Sequence, residues 1–417
     1  MVAYCSVSRS RLAAPKCLAR FASCVLLAWG GLRDMRLGIL TQPLHTNYGG
    51  LLQAFALQKY LRDELEHDVL TVDYTRKPKA WLAPYRVARR CVAKFLKRRK
   101  IALFPTPISQ GVGKFTQRFI DENIRTTKKI FAPARELDFA EYGFEAFFVG
   151  SDQTWRPAYS PYMPTFFFDF LGEDKKTRRI AYASSFGKDE WEFSPEMTKI
   201  CAPLAKKFHA ISVREDSGIS LCEKYLGVNA EHVIDPPMLL SQEDYCAVVE
   251  RDEARGFLEK RVPAKRLFAY VLDEAPEKKV LIASVAESLG LELDEIMPKR
   301  EELASGAKAY LPVSAWLRGF RDAGFVVTDS FHGCVFSIIF NKNFIAIGNA
   351  LRGMSRFHSL LKMFGLGNRL LILDENLNVR DRIPELLSEN IDWEKINAIR
   401  SHEQARARQF LGNALKR

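Results

Sequence analysis

The stretch Val326–Ser337 constrains what this 417-residue chain can fold into more than any other. The apolar pair Val326-Val327 stops at Thr328-Asp329-Ser330, and an apolar segment of helical character resumes beyond Gly333. That order describes a buried parallel strand feeding a helix, with Ser330 and His332 left at the strand's carboxyl end. In open α/β sheets, ligands bind at that end. A single His at a turn is by default a capping or packing residue. Asp329, Ser330 and His332 lie within four positions, however, a density of polar groups that a buried strand terminus does not need for stability, and this favours a site.

The same layout recurs along the chain. Leu37–Leu40 reads as a strand, and Thr41–Gly50 leads into a helix over Leu51–Leu65. Leu51, Ala54, Leu57, Gln58 and Leu61 share one helical face, and Val69–Tyr74 completes a βαβ unit. The turn Thr46–Gly50, with Asn47 and Gly49, offers backbone N–H groups to an anion, although Gly49-Gly50 is not the dinucleotide fingerprint. Ala146–Val149 ends in Gly150-Ser151-Asp152-Gln153. Trp155, Pro157 and Pro161 then favour an irregular loop over an immediate helix, which leaves Asp152 for work other than capping. The aromatic run Phe166–Phe170 reads as core. Ala210–Val213 delivers Arg214 and Glu215, either as a local salt bridge or with Arg214 as the bidentate partner of a carboxylate or phosphate.

His232–Leu240 reads as the last strand of a first domain, with Pro236-Pro237 as a stiff exit and a boundary near Ser241. Strands are expected at Arg266–Leu272, Asp294–Met297, Gly324–Thr328, Phe344–Gly348 and Leu370–Leu373. Helices are expected between them at 278–289, 313–322, 334–341 and 355–364, and in the tail at 381–388 and 392–415. The fold class is therefore α/β, with Rossmann-like domains at 35–240 and 241–417, the second including the C-terminal helices.

Charge is concentrated in one place. Between Arg76 and Lys100 there are eleven basic residues and no acidic ones, against a formal net charge of +12 for the whole chain. Trp81, Tyr85, Ala88, Val92 and Phe95 recur at helical spacing within it, so the insertion 76–104 reads as a basic amphipathic helix. It is either a solvated face or a footprint for an anionic partner, a membrane surface or a lipid-diphosphate carrier, with membrane contact preferred. Nucleic acid is not expected, because no reading motif accompanies the charge.

The eight cysteines lack CxxC pairs and metal-like His spacing, as in a reduced cytoplasmic protein. No uninterrupted apolar run reaches transmembrane length. Residues 1–34 contain no acidic residue before Asp34 and include the apolar stretch Phe21–Trp29. A weak signal peptide is one reading; a disordered extension or a misassigned start is preferred, because a clean strand follows Met35 at once.

Six strand-end motifs carry a resemblance. Asn47-Tyr48-Gly49 with Leu52-Gln53-Ala54, Val149–Gln153 with Trp155, Ala181–Ala183 with Ser185-Phe186-Gly187, Ser212–Glu215, Asp235-Pro236 and Thr328–Gly333 together resemble the polysaccharide pyruvyl transferase family from Met35 to about Arg369. Cys334 and Pro237 stand where Thr is common in that family. The resemblance implies a glycosyltransferase-B-like architecture, two Rossmann-like domains facing a cleft. It also implies transfer of a pyruvyl group from phosphoenolpyruvate to a sugar hydroxyl pair of a cell-surface polysaccharide or its lipid-linked precursor, as a ketal.

That chemistry needs an acid, a base and cations for phosphate and carboxylate. His332, Asp152 and Glu215 are the catalytic candidates. Arg214, Ser330, Asp329, Asn47, Gly49, Ser151, Gln153, Arg352 and Arg356 are the binding candidates, with Asp329 placed either to orient His332 or to cap its helix. No metal and no cofactor beyond the donor phosphoenolpyruvate is expected. The expected location is cytoplasmic, with peripheral contact at the inner face of the membrane through 76–104. A nucleotide-sugar-dependent glycosyltransferase and a non-catalytic glycan-assembly protein remain alternatives, since fold alone does not fix chemistry.

Overall fold

Short apolar runs bounded by polar turns become parallel strands when helices cover both faces, and two such sheets form here. A computed structural model of the chain describes residues 34–76, 108, 110–132, 139–160, 162–258, 266–348, 353–373 and 379–416, with positions 85, 87, 88, 91 and 92. The strands of the first half are β1 (Arg36–Leu40), β2 (Asp68–Val72), β3 (Tyr74–Arg76), β4 (Ile130–Ala132), β5 (Ala146–Val149), β6 (Arg178–Ser184), β7 (Ala210–Val213) and β8 (Glu231–His232). Six of them make a sheet in the order β2-β1-β5-β6-β7-β8, and β3 pairs with β4 apart from it. The second half supplies β9 (Arg266–Tyr270), β10 (Glu292–Glu295), β11 (Ala323–Thr328), β12 (Phe344–Ile347) and β13 (Leu370–Leu371), in the order β10-β9-β11-β12-β13. All pairings are parallel.

Side-chain alternation along β5 shows why these runs are continuously apolar. Ala146 and Phe148 enter one core with the helix Tyr48–Asp63, while Phe147 and Val149 enter an aromatic core with Trp155, Phe166 and Phe167. The first of these cores does not stop at the domain boundary. It joins Leu52 and Phe55 to Tyr245, Phe268, Trp316 and Phe336. Tyr48 stacks on Trp316 with ring centroids 5.8 Å apart and donates its hydroxyl to Leu311 O at 2.8 Å. Close-packed apolar side chains of this kind hold the two sheets at a fixed separation.

Two expectations change. Of the run His232–Leu240 only His232 is strand, as the end of β8, and a 3-10 turn, Pro236–Leu239, takes up most of its far end. Pro236 and Pro237 have no N–H to give a ladder, so the strand cannot resume through them. The helix Trp393–Leu415, grouped by sequence with the second half, packs back across the first: Phe410 lies 6.2 Å from Tyr182, and Arg178 Nη1 donates to Ala414 O at 3.2 Å. The basic segment 76–104 lies almost entirely outside the described residues. Among the described residues, no helix is long and apolar enough to cross a membrane.

Two of the histidines are structural and neutral. His67 Nδ1 accepts from Met35 N at 3.3 Å, and His232 sits between Arg214 O at 3.0 Å and Ser359 Oγ at 3.2 Å. Burial pushes both below the ordinary histidine value, against opposing neighbours. The unfolded chain therefore binds more protons than the native one just below pH ~6.5, and stability falls as pH drops through that value. Denaturant midpoints measured at about pH 7.5 and about pH 5.5 should differ, with the lower midpoint at the lower pH. Equal midpoints would contradict neutral burial.

Candidate active site

Parallel strands bring their carboxyl ends to one edge, and a ligand crevice opens where the chain reverses its direction of travel across the sheet. In the first sheet that point lies between β1 and β5, and in the second between β9 and β11. The residues delivered there are Thr41 and Gln42 after β1, Ser151 and Asp152 after β5, and Asp329 to His332 after β11. Thr41 Oγ1 donates to Ser151 O at 3.2 Å and Gln42 Nε2 to Gln153 O at 2.8 Å, which fixes the two loops to each other. Asp152 has φ +72°, a left-handed conformation that Asp tolerates better than most residues.

Arg214 and Asp235 form the centre of the site. The Arg214 guanidinium is almost fully buried; its Nη1 lies 3.2 Å from Asp235 Oδ1 and its Nη2 lies 3.6 Å from Asp152 Oδ1. Ser151 Oγ donates to the same Asp235 oxygen at 2.6 Å. Asp235 Oδ2 faces His332 Nε2 across the domain boundary at 3.4 Å, wider than a well-formed hydrogen bond, and among the described residues neither atom has a closer partner. Burial alone would raise the Asp235 carboxyl. The Arg214 charge, the facing imidazole and Ser151 outweigh it and bring it down to about 2. Burial likewise opposes the Arg214 cation, and the carboxylates of Asp235, Asp152 and Glu215 outweigh burial, so the group stays charged.

The Arg214 Cζ sits 4.6 Å from the centre of the Phe331 ring, and the Arg356 Cζ 5.7 Å from the same ring. Burial, and next the positive charge of Arg214, lower the Arg356 group to about 10. Two buried cations sharing one aromatic ring create a strong local field that an entering anion would relieve.

On the other wall, the His332 ring packs directly on the backbone of Gly49. A Cβ at position 49 would fall 2.1 Å from Nδ1 and 2.7 Å from Cε1, so the close approach itself demands glycine. Asn47 caps the helix Tyr48–Asp63 by accepting Gly50 N at 3.2 Å. The cleft enclosed by these elements has a volume of about 600 Å³. Asn47, Asp152, Gln153, Ser330, His332 and Arg356 all line it, and Tyr159, Tyr310 and Phe357 supply aromatic wall.

Some expected residues stand elsewhere. Glu215 is fully buried behind the cleft, where its Oε1 accepts from Phe186 N at 2.6 Å, Ser185 Oγ at 3.0 Å and Gly187 N at 3.0 Å. It anchors a turn and is not presented to a substrate. Asp329 borders the cleft but neither orients His332 nor caps its helix. Its carboxylate accepts Leu272 N at 2.7 Å, Asp273 N at 3.2 Å and Lys278 Nζ at 2.6 Å, holding the loop that follows β9. Ser151 supports Asp235 from behind, and Arg352 lies outside the described residues.

Two site residues had no role assigned from sequence. Asp235 belongs to a quoted Asp-Pro motif, but only tertiary contact reveals its partners. His45 lines the cleft and accepts Thr46 N on Nδ1 at 2.7 Å, which leaves the proton of the neutral ring on Nε2. Burial lowers its pKa, and Asp152 opposes the shift. Among the described residues, no cluster of His, Cys, Asp and Glu could hold a metal ion.

Two Rossmann-like sheets with their switch points facing across a cleft define a glycosyltransferase-B-like architecture. The fold is similar to that of the UDP-GlcNAc 2-epimerase from Methanocaldococcus jannaschii, with 11% identity and a TM-score of 0.50, covering 87% of this chain and 95% of that one. The corresponding epimerase from Neisseria meningitidis (8% identity, TM-score 0.47, 90% and 99% covered) and MurG from Acinetobacter baumannii (9%, 0.46, 91% and 99%) are also similar. At such identities the likeness is one of fold alone. No curated protein sequence matches the chain. The chain belongs to the polysaccharide pyruvyl transferase family, whose pattern spans residues 47–350.

Gly49→Ala tests the packing that positions His332. Alanine is the better helix former, which offsets part of the cost of overpacking this contact, while the displaced imidazole should cost roughly 10²-fold in kcat/KM for pyruvyl transfer, the scale of an ångström of misplacement. Steady-state kinetics beside a melting curve reads both; wild-type kinetics would mean that the ring position is unimportant.

Proposed function

We propose that the protein transfers the pyruvyl group of phosphoenolpyruvate to a pair of hydroxyls on one sugar of a glycan or its lipid-linked precursor, closing a cyclic ketal. The observation that carries this reading is the convergence of Arg214, Arg356 and His332 on Phe331 at the cleft wall. Phosphoenolpyruvate is doubly anionic, with a phosphate and a carboxylate, and paired guanidiniums match both groups. Arg214, held by Asp235, acts as a fixed charge at the base of the site, and Arg356 meets the ligand from the cleft.

The reaction needs one proton delivered to the methylene carbon. A sugar hydroxyl oxygen then bonds to the adjacent carbon, phosphate departs with its ester oxygen, and the second hydroxyl closes the ring. Of the two hydroxyl protons lost, one balances the new methyl group and the other leaves with phosphate. His332 is the candidate donor to the methylene carbon, because its imidazole lines the cleft with Nε2 facing Asp235. Asp152 and His45 are candidate acceptors for the hydroxyl protons, since both line the same cleft. The basic segment 76–104, with its eleven cationic residues in 76–100, would bring the enzyme to an anionic membrane surface where a lipid-linked acceptor lies.

A thermal-shift titration tests donor recognition. Phosphoenolpyruvate at a hundred times its Kd should add ~2.7 kcal/mol of stability, and Arg356→Ala should abolish the shift. Incubation with labelled phosphoenolpyruvate and acceptor should release phosphate. Turnover only with a nucleotide sugar, or no shift at millimolar phosphoenolpyruvate, would overturn the reading in favour of a glycosyltransferase.

A further inference from the structure

A second cavity, of about 810 Å³, lies beside the cleft at the carboxyl ends of β9 and β10. It shares Leu272, Met297 and Tyr310 with the cleft, so the two spaces adjoin. The segment Ala309–Leu311 forms the divide between them and is tied on both sides to the first half of the chain. Tyr310 N donates to Val112 O at 2.8 Å, and Leu311 O accepts the Tyr48 hydroxyl at 2.8 Å. Lys114 and Phe115 complete the wall, which makes this, like the cleft, a space between the two halves.

Its lining differs from that of the cleft. Ile282, Ile296 and Leu303 form an apolar floor, and five lysines outnumber three glutamates around it. Lys278 is paired with Asp329, Lys279 with Glu274 at 3.4 Å and Lys308 with Glu302 at 2.8 Å, while Lys114 and Lys299 are exposed at the rim. The 600 Å³ cleft already exceeds what the small donor and two hydroxyls of a sugar require, since cavities of ~300–1,000 Å³ take whole drug-sized ligands. The larger space is therefore left for the remainder of the acceptor.

We propose that this cavity is the acceptor's anion subsite: it takes the phosphate or diphosphate of a glycosyl phosphate, while the sugar passes Tyr310 into the cleft. The inference rests on the pyruvyl-transfer reading, and it names the acceptor as a phosphate-activated glycan precursor carrying its leaving group, not a finished neutral polymer. A lysine rim recognises a diphosphate by charge rather than by a fixed fork, so it accepts one borne by a lipid or by a nucleoside alike. The apolar floor accommodates whichever apolar or ring-shaped body follows.

Calorimetric titration of the full-length protein with uridine diphosphate glucose, farnesyl diphosphate and glucose provides the test, each in the presence and absence of phosphoenolpyruvate. Either or both diphosphates should bind, glucose should not, and binding should persist with phosphoenolpyruvate present. The relative affinities of the two diphosphates tell a nucleoside carrier from a lipid one. The double variant Lys114→Glu, Lys299→Glu changes only exposed side chains and should weaken diphosphate binding at least tenfold while leaving the phosphoenolpyruvate thermal shift as in the wild type. Glucose binding as tightly as the diphosphates, no diphosphate binding, or unchanged affinity in the double variant would overturn the subsite. Loss of the phosphoenolpyruvate shift in the wild type, with diphosphate binding intact, would instead strike the donor assignment and leave the subsite standing.

Discussion

The buried carboxylate of Asp235 is the interaction on which the rest of the site depends. It sits at 2% exposure between a guanidinium from the first sheet and an imidazole from the second half. A buried charge is tolerated only when it is paired and hydrogen-bonded, and Arg214 with Ser151 meets that condition. Removing either partner would strand the other charge in a space without water. The ion pair is therefore better understood as a means of fixing geometry than as a net source of stability. It sets the height of Arg214 under Phe331 and gives His332 a fixed neighbour.

That geometry matters only because the two halves do not drift. The shared core through Trp316, Phe336 and Tyr245, and the tether from Tyr48 to Leu311, hold the cleft walls in register. The contact of His332 with Gly49 shows how close this packing is, with no room for one additional carbon. The same tether partitions the space between the halves. Leu311 and Tyr310 divide a compact cleft lined by Arg356 and His332 from a wider cavity edged by lysines, and the division matches a small anionic donor and a larger acceptor.

Much of this was legible in the sequence, for reasons that also mark where legibility ends. Strand ends announce themselves, because a buried strand is apolar and its terminus is not; Asp152, Arg214 and Ser330–His332 were found that way. Adjacent residues on a strand path face opposite sides, however, so Arg214 and Glu215 could not both reach the cleft. Sequence gives no reason to choose between them, and the structure turns Glu215 to the Ser185–Gly187 turn. The anchoring role of Asp329 is not legible in sequence because its partners, Leu272 and Lys278, lie more than fifty residues away and meet it only once β9 pairs with β11. Asp235 and His45 stand alone in the chain and acquire a role only from their neighbours in space. The helix Trp393–Leu415 shows the same limit, since an apolar face specifies burial but not the sheet that buries it.

A double-mutant cycle between Asp235 and His332 tests the central claim most directly, that a carboxylate of one half positions an imidazole of the other. Asp235→Asn, His332→Gln and the double variant should be compared in kcat/KM for pyruvyl transfer, with melting curves to confirm folding. Direct coupling predicts clear non-additivity, on the order of 0.5–3 kcal/mol, with the double variant little worse than His332→Gln alone. Strictly additive losses would show that the two residues act independently and would contradict the account.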